Sequence, residues 1–351
     1  MIQGDAAAMR AADPQGILDA FLRLPDQLAR GYQAGRDAAV DPFDARSLVF
    51  CGMGGSAAGG DVVAAAFADR LRLPVASVRG YEPPSHCGPE DLVVCLSFSG
   101  GTDETLSCYE EARGRGSRVV AVCAGGQLAE RAAEDGAGLV LVPDDVPMPR
   151  AGLGYLVGGT AGALVAAGIL PPVDEEVREA AGVLAEVAEE IAPERPGGEA
   201  IEVARAVGSH VPVIWGAEGL AARAAFRWKA AFNENAKVPA FSSDLPELTH
   251  HEIAGWSGDR GRGFLVAVLR HEGEHPAVGP TVVAALRAVE DSGLGWREVR
   301  ATGPSPLARI LSLILVGDVA STLHALARGV DPTPIDAIAR LKRELETEGS
   351  G

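Results

Sequence analysis

The sequence is poor in positive charge, in paired cysteines and in long apolar runs. It has 31 Lys and Arg against 48 Asp and Glu, so its formal net charge is −17. An acidic excess of this size disfavours nucleic acids and anionic membranes as partners. None of the five cysteines belongs to a C-x-x-C pair, which favours buried, reduced thiols over a disulfide framework or a metal site.

Signals for export or for membrane insertion are also lacking. The opening ten residues, MIQGDAAAMR, contain no apolar signal core, and the longest apolar run, near Leu311–Val316, is far too short to cross a bilayer. These absences predict a cytoplasmic protein with no membrane partner. The length of 351 residues allows two domains.

Glycine, in contrast, is abundant, and one glycine-rich stretch lies between an apolar run and a run of helix formers. It is Cys51–Gly60, CGMGGSAAGG. Gly54 and Gly55 allow the backbone to approach a ligand closely, and Ser56 places a hydroxyl at the start of the following helix. A strand, a glycine turn and a helix start together present backbone N–H groups to an anion.

This stretch fits neither of two well-known nucleotide motifs. The dinucleotide fingerprint needs an acidic residue about 20 positions later, and the phosphate loop of nucleoside triphosphatases needs Gly-Lys-Ser/Thr. Neither feature is present. Taken alone, the stretch is compatible with an anion site and with an ordinary strand-to-helix turn.

Apolar strands alternate with helical segments from Arg46 to about Ala167, a pattern typical of a parallel sheet covered on both faces. A second unit starts at Val211, where VPVIWGAEGL parallels the first glycine stretch but has Leu220 in place of Ser56. We therefore predict an α/β protein built from two doubly wound halves in pseudo-repeat. The first half keeps an anion loop that the second has lost.

The predicted organisation has five parts: an N-terminal helical arm (1–40), a first α/β domain (41–172), a helical linker (173–196), a second α/β domain (197–330) and a C-terminal helix (331–351). Pro25 should break or kink the arm, which is expected to pack on a domain or on a second subunit. In the second domain, the polar block Asn233–His251 separates a helix, Glu218–Phe232, from a strand, Gly263–Arg270.

A second loop, rich in hydroxyl groups, closes the strand that begins at Asp91. Its sequence is SFSGGTDET, with hydroxyls on Ser97, Ser99 and Thr102. A capped turn would use the same residue types. Ligands of open α/β sheets, however, bind at the carboxyl ends of the strands. Two such loops at the ends of two strands of one sheet therefore favour a phosphate site.

Ser56 together with the SFSGGT loop resembles the sugar isomerase (SIS) domain, a doubly wound module that binds phosphosugars. The block FNENAKVPAFSSDLPELTHHEI, at Phe232–Ile253, resembles the motif of the bifunctional phosphoglucose/phosphomannose isomerases, in which two SIS domains follow each other. The resemblance covers nearly the whole chain from about residue 40. It implies two doubly wound, flavodoxin-like SIS domains with helices at both ends, and a homodimer that acts on a phosphosugar without metal or cofactor.

The resemblance also implies a role for individual residues. The sugar phosphate would be held by Gly54, Gly55, Ser56, Ser97, Ser99 and Thr102. Glu234 would be the base, and Arg150 would lie beside the reacting carbons. His250 would open the sugar ring from the neighbouring subunit, with Lys342 assisting. His251, which stands where the family usually has Asn, is the alternative acid. The spacing from the Pro-Glu-Leu run favours His250.

These residue types suit the interconversion of glucose 6-phosphate, and of mannose 6-phosphate, with fructose 6-phosphate. Such an isomerisation moves one proton between C1 and C2 through an enediolate. It needs a carboxylate that reaches both carbons, a cation beside the developing oxyanion, and an acid for the ring oxygen. Glu234, Arg150 and His250 supply one group each.

Other functions fit less well. A non-catalytic, phosphosugar-binding regulator is the main alternative, but no DNA-binding module is visible in the sequence. A glutamine-dependent amidotransferase would need an additional glutaminase domain, and a nucleotide-dependent oxidoreductase would need a cofactor motif. The string His271–His275 matches the zinc-protease pattern H-E-x-x-H, yet its internal glycine and the proline behind it favour a polar loop over a helix with two zinc ligands.

Overall fold

The computed structural model describes residues 6–348, without the side chains of residue 342 and of residues 346–348. The N-terminal arm forms three helices, α1 (Ala6–Ala11), α2 (Ile17–Leu22) and α3 (Leu24–Asp37). The expected break at Pro25 falls at Arg23, so that Pro25 lies in the first turn of α3. The missing N–H group of a proline is tolerated there, because the first N–H groups of a helix have no intrahelical partner.

The first half of the chain contains a five-stranded parallel sheet, sheet A. Its strands are β1 (Ser47–Gly52), β2 (Val75–Val78), β3 (Asp91–Leu96), β4 (Arg118–Cys123) and β5 (Gly138–Leu141), and its helices are α4 (Gly54–Ala66), α5 (Asp103–Gly114), α6 (Gly126–Glu134) and α7 (Leu153–Ala166). The spatial order is β2-β1-β3-β4-β5. This flavodoxin-like order creates a ligand crevice at the carboxyl ends of β1 and β3, and it confirms the predicted fold of this half.

The second half contains a four-stranded parallel sheet, sheet B. Its strands are β6 (Val211–Ala217), β7 (Phe241–Leu245), β8 (Phe264–Arg270) and β9 (Gly295–Arg300), in the spatial order β7-β6-β8-β9. The remaining helices are α8 (Asp174–Ile191), α9 (Glu199–Val207), α10 (Leu220–Glu234), α11 (Glu252–Gly255), α12 (Val278–Ala288), α13 (Pro306–Ala327) and α14 (Asp336–Glu348). β6 occupies the place in sheet B that β1 occupies in sheet A, as the predicted pseudo-repeat requires.

Strand β7 is missing from the sequence prediction, which treats its residues as part of a polar block. Its sequence is FSSDL, and Leu245 is its one buried residue. The alternation of polar and apolar residues that reveals a strand is therefore absent. The strand exists because it pairs with β6, from Val213 opposite Phe241 to Ala217 opposite Leu245, and lies at the edge of the sheet, where polar side chains can stay in solvent.

Helix α13 lies in the main hydrophobic core and contacts α10, α8, α9 and α4. By length and composition it could cross a membrane, but 94% of its most apolar window is buried inside the protein. Burial of this kind marks a core helix. The helix predicted as a linker, α8, packs on both α3 and α13, so it belongs to the same core, while the domain boundaries stay a prediction.

All five cysteines are free and buried, as predicted. They belong to one core cluster, which lies between sheet A and the helices α5 and α6. Burial raises the pKa of the Cys123 thiol to about 11, which keeps this thiol protonated and unreactive near neutral pH. The cysteines therefore act as small apolar core residues.

The N-terminal arm is held by a close contact between α3 and α7, the most extensive contact between two elements of the fold. Glycines line both sides of it. A Cβ atom on Gly35 would lie 2.2 Å from the carbonyl oxygen of Gly159, and one on Gly158 would lie 2.3 Å from that of Leu28. Backbone atoms cannot move aside as a flexible side chain can, so the two helices pack this closely only with glycine at these positions.

We predict that Gly35→Ala lowers the free energy of unfolding by about 1–3 kcal/mol, because the added methyl group forces the two backbones apart. Gly182→Ala is the matched control. Gly182 lies within α8 with no atom near the position of its absent Cβ, so the same substitution should stabilise the protein by up to about 1 kcal/mol through helix propensity. Melting temperatures of both variants test this, and shifts of the same sign would contradict it.

Candidate active site

The two loops singled out in the sequence lie next to each other at the carboxyl edge of sheet A, after β1 and β3. The hydroxyl of Ser56 accepts a hydrogen bond from the backbone N–H of Phe98 at 3.1 Å, which joins the loops directly. The hydroxyl oxygens of Ser97 and Thr102 are 2.9 Å apart. Because α4 and α5 both begin here, this edge combines hydroxyls with two helix N-termini, the groups that bind phosphate.

Two positions of the first loop, Gly54 and Gly55, favour glycine. Gly54 has a φ of 51°, a conformation that glycine adopts at little cost. A Cβ atom on Gly55 would lie 3.3 Å from Arg227 Nη1 and 3.4 Å from Arg150 Cα, so a larger residue would crowd both arginines. Ser99 is exposed. All six residues predicted to hold phosphate thus lie in two adjoining loops, and their role in binding stays a prediction.

Arg150 is a buried cation in a short 3-10 turn, Pro149–Gly152, just before α7. Its Nε donates to the side-chain oxygen of Asn235 at 2.8 Å, and its Nη2 donates to the carbonyl oxygens of Pro332 and Thr333 at 2.7 and 2.8 Å. Its Nη1 is buried without a partner. Loss of solvent lowers the pKa of Arg150, against the attraction of Glu234. Three bonds fix the guanidinium and leave one nitrogen free to donate.

Glu234 is the last residue of α10, and its Oε2 lies 3.8 Å from Arg150 Nε. About a fifth of its side chain is exposed. The carboxylate therefore lies between a buried cation and solvent, where a small ligand can reach it. The contact also shows that Arg150, from the first half, and Glu234, from the second, form one site between the halves.

A buried ion pair contacts the turn that carries Arg150. Arg227, on α10, donates to both carboxylate oxygens of Asp318, on α13, at 3.0 and 2.9 Å. Its Nη2 also donates to the carbonyl oxygen of Arg150 at 2.9 Å. Arg227 and Asp318 are only 2% and 4% exposed. The pair thus links α10 and α13 to the backbone of the turn that carries Arg150.

His250 does not lie beside Glu234 in the same chain. The N–H of Ala240, just before β7, bonds to the side chain of Asn233 at the end of α10. β7 then runs back to the start of α10, where Leu245 accepts a bond from the N–H of Glu218. His250 follows in an exposed 3-10 turn. α10 has 15 residues and is roughly 20 Å long, so the end of β7, beside its first turn, lies far from Glu234, its last residue.

Lys342 lies in α14, but its side chain is outside the described residues. His251, the alternative acid, is exposed, with its Nε2 3.6 Å from a carboxylate oxygen of Glu247. Neither observation assigns a role.

His271 and His275 lie in the loop between β8 and α12 and not on one helix, which confirms the predicted polar loop. This loop and the start of α10 line a cavity of about 600 Å³ at the carboxyl edge of sheet B. In the second half, the cavity occupies the position that the hydroxyl loops have in the first. Among residues 6–348, no three His, Cys, Asp or Glu side chains are grouped as a metal site.

The sequence analysis missed most of the residues that hold Arg150. Asn235 lies inside the NENAK motif, but its bonds to Arg150 and to Ser321 depend on distant parts of the chain. Asp318 did leave a signal, since it is an acidic residue inside an otherwise apolar run. A buried charge requires a partner, so an arginine on a neighbouring helix could have been expected, although not which one.

The arrangement can bind an anion at one end and move a proton at the other. The loops around Ser56 and Ser97 suit a phosphate group. Glu234 supplies a carboxylate within reach of a small ligand, and Arg150 supplies a positive charge 3.8 Å from it. This is the set of groups that proton transfer next to a carbonyl requires.

Two family models match the chain. Residues 43–135 match the SIS domain, and residues 197–345 match the model described as the bacterial phospho-glucose isomerase C-terminal SIS domain. The chain is 32% identical to a bifunctional phosphoglucose/phosphomannose isomerase of Caldicellulosiruptor bescii over 94% of this chain and 98% of that protein. It is 34% identical to a protein of the same name from Aquifex aeolicus, over 88% and 93%. These matches confirm the resemblance drawn from the motifs.

Solved structures share the fold at low sequence identity. The C-terminal domain of glucosamine-fructose-6-phosphate aminotransferase from Francisella tularensis aligns with a TM-score of 0.70 at 14% identity, over 92% of this chain and 98% of that one. Tagatose-6-phosphate ketose/aldose isomerase from Escherichia coli aligns with a TM-score of 0.67 at 15% identity, over 94% and 96%. Both similarities support the same fold, which consists of two SIS domains.

We predict that Asp318→Ala lowers the free energy of unfolding by about 3–5 kcal/mol, because it leaves the charge of Arg227 buried without its carboxylate. Asp259→Ala is the matched control. Asp259 pairs with Arg262 at 3.3 Å, and both side chains are about three-quarters exposed, so its loss should cost less than about 1 kcal/mol. Chemical denaturation of both variants measures the difference, and equal losses would be inconsistent with a dependence on the buried pair.

Proposed function

Because this chain belongs to the family of bifunctional phosphoglucose/phosphomannose isomerases, we propose that Glu234 is the base that moves the proton in its reaction. The enzyme interconverts glucose 6-phosphate, and mannose 6-phosphate, with fructose 6-phosphate. The proposal is supported by one observation above all, the 3.8 Å contact of the Glu234 carboxylate with the buried guanidinium of Arg150. Proton transfer next to a carbonyl uses both groups, a carboxylate as the base and a cation beside the oxyanion.

In this proposal the two hydroxyl loops hold the phosphate of the open-chain sugar, so that C1 and C2 lie against Glu234. The carboxylate takes a proton from one of these carbons and returns it to the other, while the hydroxyl proton passes between O2 and O1 so that the carbonyl group changes place. The enediolate that forms between these steps carries negative charge on oxygen, and Arg150 Nη1 donates to that oxygen. Since Arg150 is already fixed by three bonds, it stabilises this charge with little reorganisation.

Opening of the sugar ring is assigned to His250 of a second subunit. Within one chain, His250 follows β7, whose end lies beside the first turn of α10, while Glu234 is the last residue of that helix. The ring of His250 is exposed and available to a neighbouring molecule. A homodimer in which each subunit completes the site of the other is therefore the assembly that the proposal requires. Lys342 remains the candidate that assists this step.

A cytoplasmic location belongs to the same proposal. It is supported by the free, buried state of all five cysteines, which is typical of proteins in a reducing compartment.

The strongly acidic composition favours a small-molecule substrate over nucleic acid.

We predict that Glu234→Gln lowers kcat by about 10²–10⁴-fold, because the amide keeps the shape of the side chain but cannot accept the proton. Binding of fructose 6-phosphate should persist, since the phosphate loops are unchanged. Glu189→Gln, at an exposed position on α8, is the matched control and should keep full activity. A coupled assay measures turnover and calorimetry measures binding. Turnover retained by Glu234→Gln would remove this residue from the role of base.

Mixed dimers test the contribution of His250. Glu234→Gln and His250→Ala are each expected to be inactive as homodimers. Co-expression of the two chains should restore roughly a quarter of wild-type activity, because half of the dimers are mixed and each of these has one intact site. Mixtures that remain inactive would mean that both residues act from the same chain. His251→Ala, assayed alone, should keep its activity if His250 is the acid.

A further inference from the structure

Lys237 has no role in the mechanism above, yet several hydrogen bonds hold its side chain in one position. Its ammonium donates to three backbone carbonyl oxygens, those of Asn235 at 3.3 Å, Asp331 at 2.9 Å and Pro332 at 2.8 Å. Two of these belong to the turn that joins α13 to α14. A surface lysine without a function is normally free in solvent, so three backbone contacts indicate a defined position.

The backbone of Lys237 is also unusual. Its φ is 54°, and among residues 6–348 it is the one residue other than glycine with a positive φ. This conformation is unfavourable for an L-residue with a side chain, and glycine would adopt it more easily. The presence of lysine therefore points to a need for its side chain, because the backbone alone would favour glycine.

The same turn is held by a second cation. Arg150 Nη2 donates to the carbonyl oxygens of Pro332 and Thr333, so Lys237 and Arg150 share the carbonyl of Pro332. Partial burial, together with the nearby charge of Arg150, lowers the pKa of Lys237 to about 8, against the opposing effect of Asp331, Asp336 and Glu234. Two positive charges are thus brought together on one turn, next to the carboxylate of Glu234.

We propose that Lys237 is a positioning residue for the isomerase, which holds the turn Asp331–Thr333 so that the guanidinium of Arg150 stays in place beside Glu234. The inference rests on the proposed role of Arg150. The turn supplies two of the three acceptors that fix the guanidinium, and Lys237 fixes the turn. Without Lys237 the carbonyls of Asp331 and Pro332 lose a donor, and the guanidinium loses its fixed support.

The turn also leads directly into α14, which carries Lys342. Lys237 therefore holds the start of this helix against the end of α10, only three residues beyond Glu234. In this way one side chain sets the relative position of the base, the buried cation and the C-terminal helix. It does so from outside the phosphate loops, which lie at the other end of the substrate.

The first test compares Lys237→Met with Lys229→Met. The change to Met keeps the length of the side chain and removes its charge. Lys229 lies on α10 with its ammonium over the ring of Phe226 and not on the turn Asp331–Thr333, and serves as the matched control. We expect Lys237→Met to lower kcat by about 10–100-fold with little change in KM, because a small displacement of a catalytic group is costly while phosphate binding is intact. Lys229→Met should match the wild type.

The second test restores the charge chemically and is independent of how well a single variant folds. Lys237→Cys is assayed before and after alkylation with 2-bromoethylamine, in which the cysteine thiolate displaces bromide and a thioether analogue of lysine forms. The five native thiols are buried, and wild-type enzyme treated in the same way controls for their reaction. Activity should rise at least about 10-fold on alkylation, reversing the loss expected for the displaced cation.

A kcat of Lys237→Met within threefold of the control, or a Lys237→Cys enzyme that alkylation does not reactivate, would overturn the proposal. An equal loss of kcat and of phosphosugar binding would also overturn it, because it would indicate general disruption of the site. Glu234→Gln separates these failures from failure of the proposed mechanism. If Glu234→Gln is inactive while Lys237→Met is fully active, only the inference about Lys237 is wrong.

Discussion

The active site depends on a guanidinium that is buried where two halves of the chain meet. Arg150 comes from the first half, but every side chain and carbonyl that holds its guanidinium comes from the second. Arg227, which is paired with Asp318, also donates a hydrogen bond to the backbone carbonyl oxygen of Arg150. A buried charge without partners is unfavourable, so Arg150 is stable in its buried position only while the two halves are in contact. Glu234, the proposed base, lies beside this cation.

The two halves share one topology but not one chemistry. Sheets A and B place their first strands in the same position, and each has loops at the carboxyl ends of the equivalent strands. In the first half those loops carry Ser56 and Ser97, whereas in the second Leu220 replaces the serine and the other loop reads HEGEHP. The second half instead supplies the end of α10, with Glu234, and the acceptors around Arg150. In the proposed mechanism the first half holds the anion and supplies Arg150, while the second half supplies Glu234 and the groups that hold Arg150.

The sequence was sufficient for the fold and for the loops, because both leave local patterns. Alternating apolar strands predict the doubly wound sheets, and the glycines and hydroxyls between Cys51 and Gly60 mark a helix N-terminus. Strand β7 was missed since FSSDL has no alternation and exists only through its pairing with β6. The support of Arg150 was missed for a related reason. Its acceptors include backbone carbonyls of Pro332 and Thr333, and a carbonyl is present in every residue, so no side-chain pattern can announce which ones are used.

The carboxylate of Asp318 also affects helix α13 before the protein is folded. Helix α13 is long enough and apolar enough for a bilayer span. Asp318 lies near its middle, and an aspartate at the centre of a bilayer opposes insertion by roughly 2.5–3.5 kcal/mol. The residue that later neutralises Arg227 thus also biases the nascent helix against the translocon, and towards the interior of its own protein.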